Sequence, residues 1–346
     1  MRFSKYPSIT NSYSKRFIEQ IYQCGKASGL WVANEKIYGA NCSLWTDGND
    51  VKVGKRSGIL PHGSEGSFYR SDIVLASFQE RALQVFDDIR KADHTVSHIA
   101  IQGEIYGGMY DHPDVERKDN VPRVQKGVSY SPNIEFACFD IKVFRGTSDE
   151  EGELLNYLKV VDLCDSNDIP MPPEIVRGTL DEILGTDDEF DSRVPGDLHD
   201  LPSIEGNTCE GIVLKPTQPA FTFAGKRIIL KKKNDKFRER EKVPKAQRKP
   251  PEELPEDVMA VVEIGSTYVT ENRLRNVISK IGLPSEGDFG KVMGMMNNDV
   301  VEELLEENPE FEALSKKKRK QAMKSLGRMN AKLLRDSWMA ILSGEF

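Results

Sequence analysis

The stretch EKIYGAN follows the apolar run LWVA after Asn34 and places Lys36 three residues before a glycine. An unprotonated lysine amine can attack the α-phosphorus of a nucleoside triphosphate, and neighbouring cations with a metal ion lower its pKa towards that form. Such a transfer also needs cations and a divalent ion at the phosphoryl oxygens. It needs carboxylates for the metal and the ribose hydroxyls, and an apolar, aromatic slot for the base. Residues of these types follow in order: Lys55 and Arg56 in KRSG, Glu104 in QGEIYG, Phe139 and Asp140 in FACFDI, Glu210 and Lys215 in CEGIVLKP, and Lys231 and Lys233 in RIILKKK. K-x-x-G also occurs at Lys26, Lys55, Lys291 and Lys324, so the spacing at Lys36 gains meaning only from that ordered set. Glu104, Asp140 and Glu210 each lie in an apolar strand-like run, where an unpaired carboxylate is costly, and this favours a site over a plain surface role.

The elements that must present these side chains alternate between strand and helix. SKRFIEQIYQCG reads as a helix with Phe17, Ile18, Ile21 and Tyr22 on one face, stopped by Gly25. LWVANEK reads as a strand, and CSLW-TDGND-VKVG as a hairpin turning at Asp47-Gly48. DIVLASFQERALQVFDDIRKA lines up Val74, Phe78, Ala82, Val85 and Ile89 as an amphipathic helix. HIAIQGEIYG, NIEFACFDIKVF, EGIVLKP and RIILKKK are strands, and ELLNYLKVVDLC is a helix ending before Pro170. Alternate strand residues share a face, so Lys231 and Lys233 should point together, as should Glu210, Ile212 and Leu214. Lys215 should then oppose Glu210 unless the strand bends at Pro216. The fold class is α+β, with residues 1–237 built on antiparallel sheets with flanking helices. Residues 238–257 form a basic linker containing Pro244, Pro250, Pro251 and Pro255. Helical spacings such as Leu274, Val277, Ile278 and Ile281 then make residues 258–346 a small all-helical domain.

Composition bounds the rest. With 38% hydrophobic and 30% charged residues in 346, this is a soluble two-domain chain with no run long enough to span a membrane and no secretory leader, which places it in the cytoplasm. The five cysteines show no C-x-x-C pair and read as buried thiols, and the five histidines show no zinc spacing. Net charge is −7, yet residues 181–210 hold ten acids against Arg193, whereas residues 226–249 hold twelve bases against three acids. Such segregation can give an acidic protein a basic face for nucleic acid. The acidic stretch reads as an exposed insertion without a site before Glu210, Lys232 as a solvated lysine, and KKKRK at 316–320 as a solvated helix start.

The set EKIYGAN, KRSG, GEIYG, FACFDI, CEGIVLKP and RIILKKKNDKF resembles motifs I, Ia, IIIa/III, IV and V of the covalent nucleotidyltransferases, which include ATP-dependent ligases and mRNA capping enzymes. It is most similar to the phage RNA ligase 2 family, and VTENRLRNVISKIG and DFGKVMG resemble that family's helical C-terminal domain. The resemblance implies an ATP-grasp-like ligase domain, with ATP and Mg²⁺ (or Mn²⁺) as cofactors and a nick in duplex RNA or RNA–DNA hybrid as the substrate of a monomer. It implies that Lys36 forms a lysyl-AMP, that Glu35 contacts the adenine and that Asn41 acts with the 3′-OH end. Arg56 would contact the AMP ribose or an RNA phosphate, and Glu104 a ribose hydroxyl. Phe139 and Val213 would sandwich the adenine. Asp140 and Glu210 would act around the metal, and Lys231 and Lys233 would grip the α-phosphate and leaving pyrophosphate.

Tyr38 stands where the family usually has histidine, and Ala40 where it usually has threonine. A tyrosine keeps a hydroxyl but cannot become a cation near neutral pH, so a step after adenylation would be arranged differently. A DNA ligase or capping enzyme would carry an OB-fold after motif V, where this chain reads helical. A non-catalytic RNA-end or nick-binding protein would have Tyr38 as its only support, against intact Lys36, Glu210, Lys231 and Lys233.

Overall fold

The computed structural model describes residues 1–118, 120–146, 151–237 and 254–346. These divide into two compact units, Met1–Lys236 and Phe237–Phe346. Most of the expected linker, 238–253, lies outside the described residues.

In the first unit, β1 (Thr10–Asn11) leads into α1 (Lys15–Gln23), which buries Phe17 and Ile21. Tyr22 does not join that face; it is exposed and its hydroxyl bonds to Asp181. Next come β2 (Trp31–Glu35), β3 (Ala40–Thr46), β4 (Val51–Lys55) and β5 (Gly58–Ile59). α2 (Ser71–Ala92) buries the expected stripe of Val74, Phe78, Ala82, Val85 and Ile89. The long pair β6 (Val96–Met109) and β7 (Ser131–Arg145) precedes β8 (Glu153–Leu154) and α3 (Tyr157–Ser166). Then follow β9 (Glu174–Gly178), α4 (Leu180–Gly185), α5 (Val194–His199), β10 (Gly211–Pro216) and β11 (Leu230–Lys233).

The strands form two sheets, in the orders β1-β11-β10-β2-β9 and β5-β4-β3-β6-β7-β8. All pairs are antiparallel except β1 on β11. The second sheet packs Cys42, Leu44, Ile99, Ile101, Ile141 and Val143 against α2 and α3. The first sheet packs Trp31, Ala33, Ile212, Leu214 and Leu230 against α1 and α4. Each sheet thus spends one face on a helix-covered core, and the other face of the second sheet carries Asn41 and Glu104 at one end and a small cluster of Trp45, Ala100 and Phe144 at the other. The chain crosses from one sheet to the other between β2 and β3, and that crossing carries Lys36.

The second unit contains α6 (Glu256–Ser266), α7 (Glu271–Ser279), α8 (Phe289–Glu307), α9 (Pro309–Ala313) and α10 (Lys316–Leu342). Val258, Val261, Leu304 and Leu326 share one core, and Leu274, Val277, Met296 and Leu334 another. KKKRK opens α10, capped by Ser315, whose hydroxyl accepts from the Lys318 N–H. Among the described residues no helix is long and apolar enough to cross a membrane.

Candidate active site

Lys36 is the first residue beyond β2, and its backbone N–H donates to Gly211 O at 2.8 Å, which docks it on the start of β10. Its Nζ lies 2.6 Å from Glu210 Oε2, while Lys233 Nζ lies 2.8 Å from Glu210 Oε1. Glu210 and Lys233 are buried and Lys36 is half-buried. Burial alone would raise the Glu210 carboxyl, but Lys233 and then Lys36 hold it below its ordinary value.

This cluster corrects the simple alternation expected for CEGIVLKP. Ile212 and Leu214 face the α1 core, but Glu210 does not share their face. Gly211 adopts φ +137°, a conformation that favours glycine, and breaks the alternation there. A Cβ at Gly211 would stand 2.0 Å from Lys232 O, so the close approach of β11 also requires glycine. Glu210 therefore lies on the side of Gly211, Val213 and Lys215. Cross-strand pairing of Gly211 with Lys233 and of Val213 with Lys231 puts both lysines on that side too.

From the second sheet, Asn41 and Glu104 are paired neighbours on β3 and β6, on the face away from α2. Glu104 feels Lys36, Glu210 and Arg56. Burial pushes its carboxyl up to about 7, Lys36 opposes this, Glu210 adds to it, and Arg56 opposes it. Gly39 lets the backbone close over this point, since a Cβ there would meet Ile105 O at 2.2 Å. Arg56 Nη2 donates to Ser8 Oγ at 3.2 Å, tying the hairpin to the N-terminal segment.

Phe139 and Asp140 sit where the β6–β7 register shifts: Cys138 pairs with Gly103 and Asp140 with Gln102, leaving Phe139 as an extra residue. A bulge of this kind lets two consecutive residues serve one side, and both meet Tyr6. The Tyr6 and Phe139 rings pack edge-on at 5.0 Å, and the Tyr6 hydroxyl donates to Asp140 Oδ2. Asp140 is fully engaged: Lys215 Nζ lies 2.9 Å from Oδ1 and Arg227 Nη2 2.9 Å from Oδ2. Burial would raise its carboxyl, yet Arg227 and Lys215 bring it down to about 2. Lys215 also donates to Phe139 O at 2.6 Å, so it straps the two sheets together.

Two site expectations change. Asp140 accepts from Tyr6, Lys215 and Arg227, whereas Glu210 is paired with Lys36 and Lys233, so the two carboxylates belong to separate ion clusters. Glu35 pairs with Ile212 and so turns its carboxylate to the core side of β2. There it is buried and accepts from Ser192 Oγ at 2.5 Å and from the Arg193 N–H at 2.8 Å. Burial pushes it up to about 7 against both of those hydrogen bonds. Tyr38 is buried, and its backbone N–H donates to the Tyr130 hydroxyl at 2.8 Å.

Sequence reasoning missed Tyr6, Arg227 and Ser192. Arg227 had one readable signal: it abuts the apolar run Ile228–Leu230, where a cation needs a buried partner. The acidic stretch is more than an exposed insertion, since it supplies Ser192 and Arg193 to Glu35 and buries Val194. Lys232 is not merely solvated: its Nζ donates to Thr186 O at 2.6 Å and lies 3.3 Å from Asp188 Oδ1.

The chain matches known proteins over both units. A family model described as RNA ligase matches residues 29–233, and one described as T4 RNA ligase 2 C-terminal matches residues 252–332. RNA-editing ligase 1, mitochondrial, of Trypanosoma brucei brucei is 28% identical, with 88% of this chain and 76% of that protein covered. RNA-editing ligase 2, mitochondrial, of the same organism is 27% identical, with 81% and 76% covered. Among solved structures, a Naegleria gruberi RNA ligase mutant with ATP and Mn aligns with a TM-score of 0.41 at 14% identity, over 68% of this chain and 59% of that one. The chain thus spans about three fifths of the length of that solved chain. The match of residues 29–233, more than half of the chain, decides the assignment: this chain belongs to the RNA ligase family, and its residues 252–332 match the T4 RNA ligase 2 C-terminal model.

Proposed function

We propose that this ligase seals 3′-OH/5′-phosphate nicks in duplex RNA or RNA–DNA hybrid, working from a lysyl-AMP at Lys36. The observation that carries this reading is Lys36 Nζ held 2.6 Å from a buried carboxylate that Lys233 also engages. In the first step the Lys36 amine, freed of its proton and of the Glu210 ion pair, attacks the α-phosphorus of ATP. The N–P bond forms as the bond to pyrophosphate breaks. Lys231 and Lys233, on one face of β11, offset the charge on the phosphoryl oxygens and the leaving group. In the second step a 5′-phosphate oxygen displaces Lys36 from the AMP. In the third a 3′-OH attacks the activated phosphate and AMP leaves, with Asn41 beside the entering end.

A divalent cation suits Glu210 and Glu104. Glu210 meets Lys233 on Oε1 and Lys36 on Oε2, and a carboxylate oxygen with one partner keeps a second lone pair for a ligand. Glu104 lies within electrostatic reach of the same carboxylate. Bound there, the ion would supply positive charge against the triphosphate. Glu104 also remains the candidate for a ribose hydroxyl, and Val213 with Phe139 for the adenine.

Incubation with magnesium and ATP radiolabelled at the α-phosphate, beside Lys36→Ala and after an intact-mass check for AMP already bound, tests this. Label or bound AMP that disappears in Lys36→Ala is expected; neither one in folded protein would leave a non-catalytic RNA-end binder. A panel of nicked duplexes then tests the substrate, and sealing that requires DNA at the 3′-OH side would overturn the RNA assignment.

A further inference from the structure

In α10, residues 316–335 carry nine cations and no acid. Six of them, Lys317, Lys320, Lys324, Arg328, Lys332 and Arg335, recur every three or four residues, and all six are exposed. At 100° per residue they fall within one third of the helix circumference, and 18 residues at a rise of 1.5 Å make a ridge about 27 Å long. The opposite face holds Ala322, Leu326, Asn330, Leu334 and Ile341, all buried in the unit's own cores. Of the other three cations, Lys316 is exposed, Lys318 pairs with Asp257, and Arg319 donates to Leu314 O at 2.8 Å.

We infer that this ridge on α10 is a docking surface for the phosphate backbone of duplex RNA. The inference rests on the nick-sealing reading and names the surface of the second unit that would hold the duplex. A protein of net charge −7 is repelled by a polyanion unless its positive charge is gathered, and α10 gathers it in a straight line. A duplex presents roughly one phosphate charge per ~1.7 Å of its axis, so a rigid row of this length meets several phosphates together. Because the apolar face is occupied, Met339 is the one large apolar side chain that α10 exposes, too little to insert into a lipid surface.

The test measures affinity of the full-length protein for nicked duplex RNA against salt. It compares the unsubstituted protein, the triple variant Lys324→Ala/Arg328→Ala/Lys332→Ala and Lys318→Ala. Alanine on an exposed helix face preserves helicity, which circular dichroism checks. The expected result is at least roughly tenfold weaker binding by the triple variant and a log–log salt slope shallower by about 3, near one per lost phosphate contact. Lys318→Ala should change neither, and adenylation of Lys36 should be unaltered in every variant. An unchanged slope and affinity in the triple variant would overturn the ridge. So would binding of anionic vesicles in place of duplex, while leaving the Lys36 chemistry standing. Ridge-dependent duplex binding without any lysyl-AMP would instead remove the ligase mechanism and keep the ridge.

Discussion

At the scale of single residues, the site is built from carboxylates that are each answered by two cations. Glu210 stands between Lys36 and Lys233, and Asp140 between Lys215 and Arg227. The two differ in what they leave open. Glu210 takes one lysine on each oxygen, whereas Asp140 takes Lys215 on Oδ1 and both Arg227 and the Tyr6 hydroxyl on Oδ2, and so holds Lys215 beside the Phe139 bulge. Removing one member of a buried ion cluster leaves charge uncompensated, and Asp140→Asn should destabilise the first unit by about 3–5 kcal/mol in urea unfolding. The same carboxyl carries an acid signature. It falls to about 2 in the folded protein from an ordinary value of 3.8, so its contribution is complete above about pH 4 and is lost as pH falls towards 2. Asp140→Asn should flatten that part of the acid unfolding curve. An unchanged curve would mean that other carboxylates dominate.

At the scale of elements, the reacting residues lie where strands depart from alternation. Gly211 swings Glu210 to the lysine side of the first sheet, and the bulge at Phe139 brings two neighbours to Tyr6. Gly211→Ala would combine a positive φ with a Cβ 2.0 Å from Lys232 O, so the β10–β11 pairing must shift. The expected cost is at least about 1–3 kcal/mol of stability. Because the shift falls beside Glu210 and Lys233, adenylation should drop by more than the loss of folded protein explains. Labelling per folded molecule measures this, and a fully active Gly211→Ala protein would show that the kink is not needed to seat Glu210.

At the scale of the whole molecule, the described residues form two units, each with its own cores. All the residues assigned to nucleotide chemistry lie in Met1–Lys236. A chain ending at Lys236 should therefore keep adenylation of Lys36 and lose sealing of nicked RNA. Equal loss of both activities would make the second unit a structural support for the first.

The ordered motifs were legible in the sequence because local chemistry sets them: a lysine after a strand, carboxylates inside apolar runs and alternate lysines on β11. So was the amphipathic stripe of α2, since a period of 3.6 residues is a property of the chain itself. Tertiary structure alone decided which carboxylates are free. Glu35 and Ser192, Asp140 and Arg227, and Tyr6 and Phe139 are far apart in the chain, and only the folded chain brings each pair together. The side to which Glu210 points was equally out of reach, because a period-2 pattern assumes ordinary strand backbone and Gly211 does not adopt it.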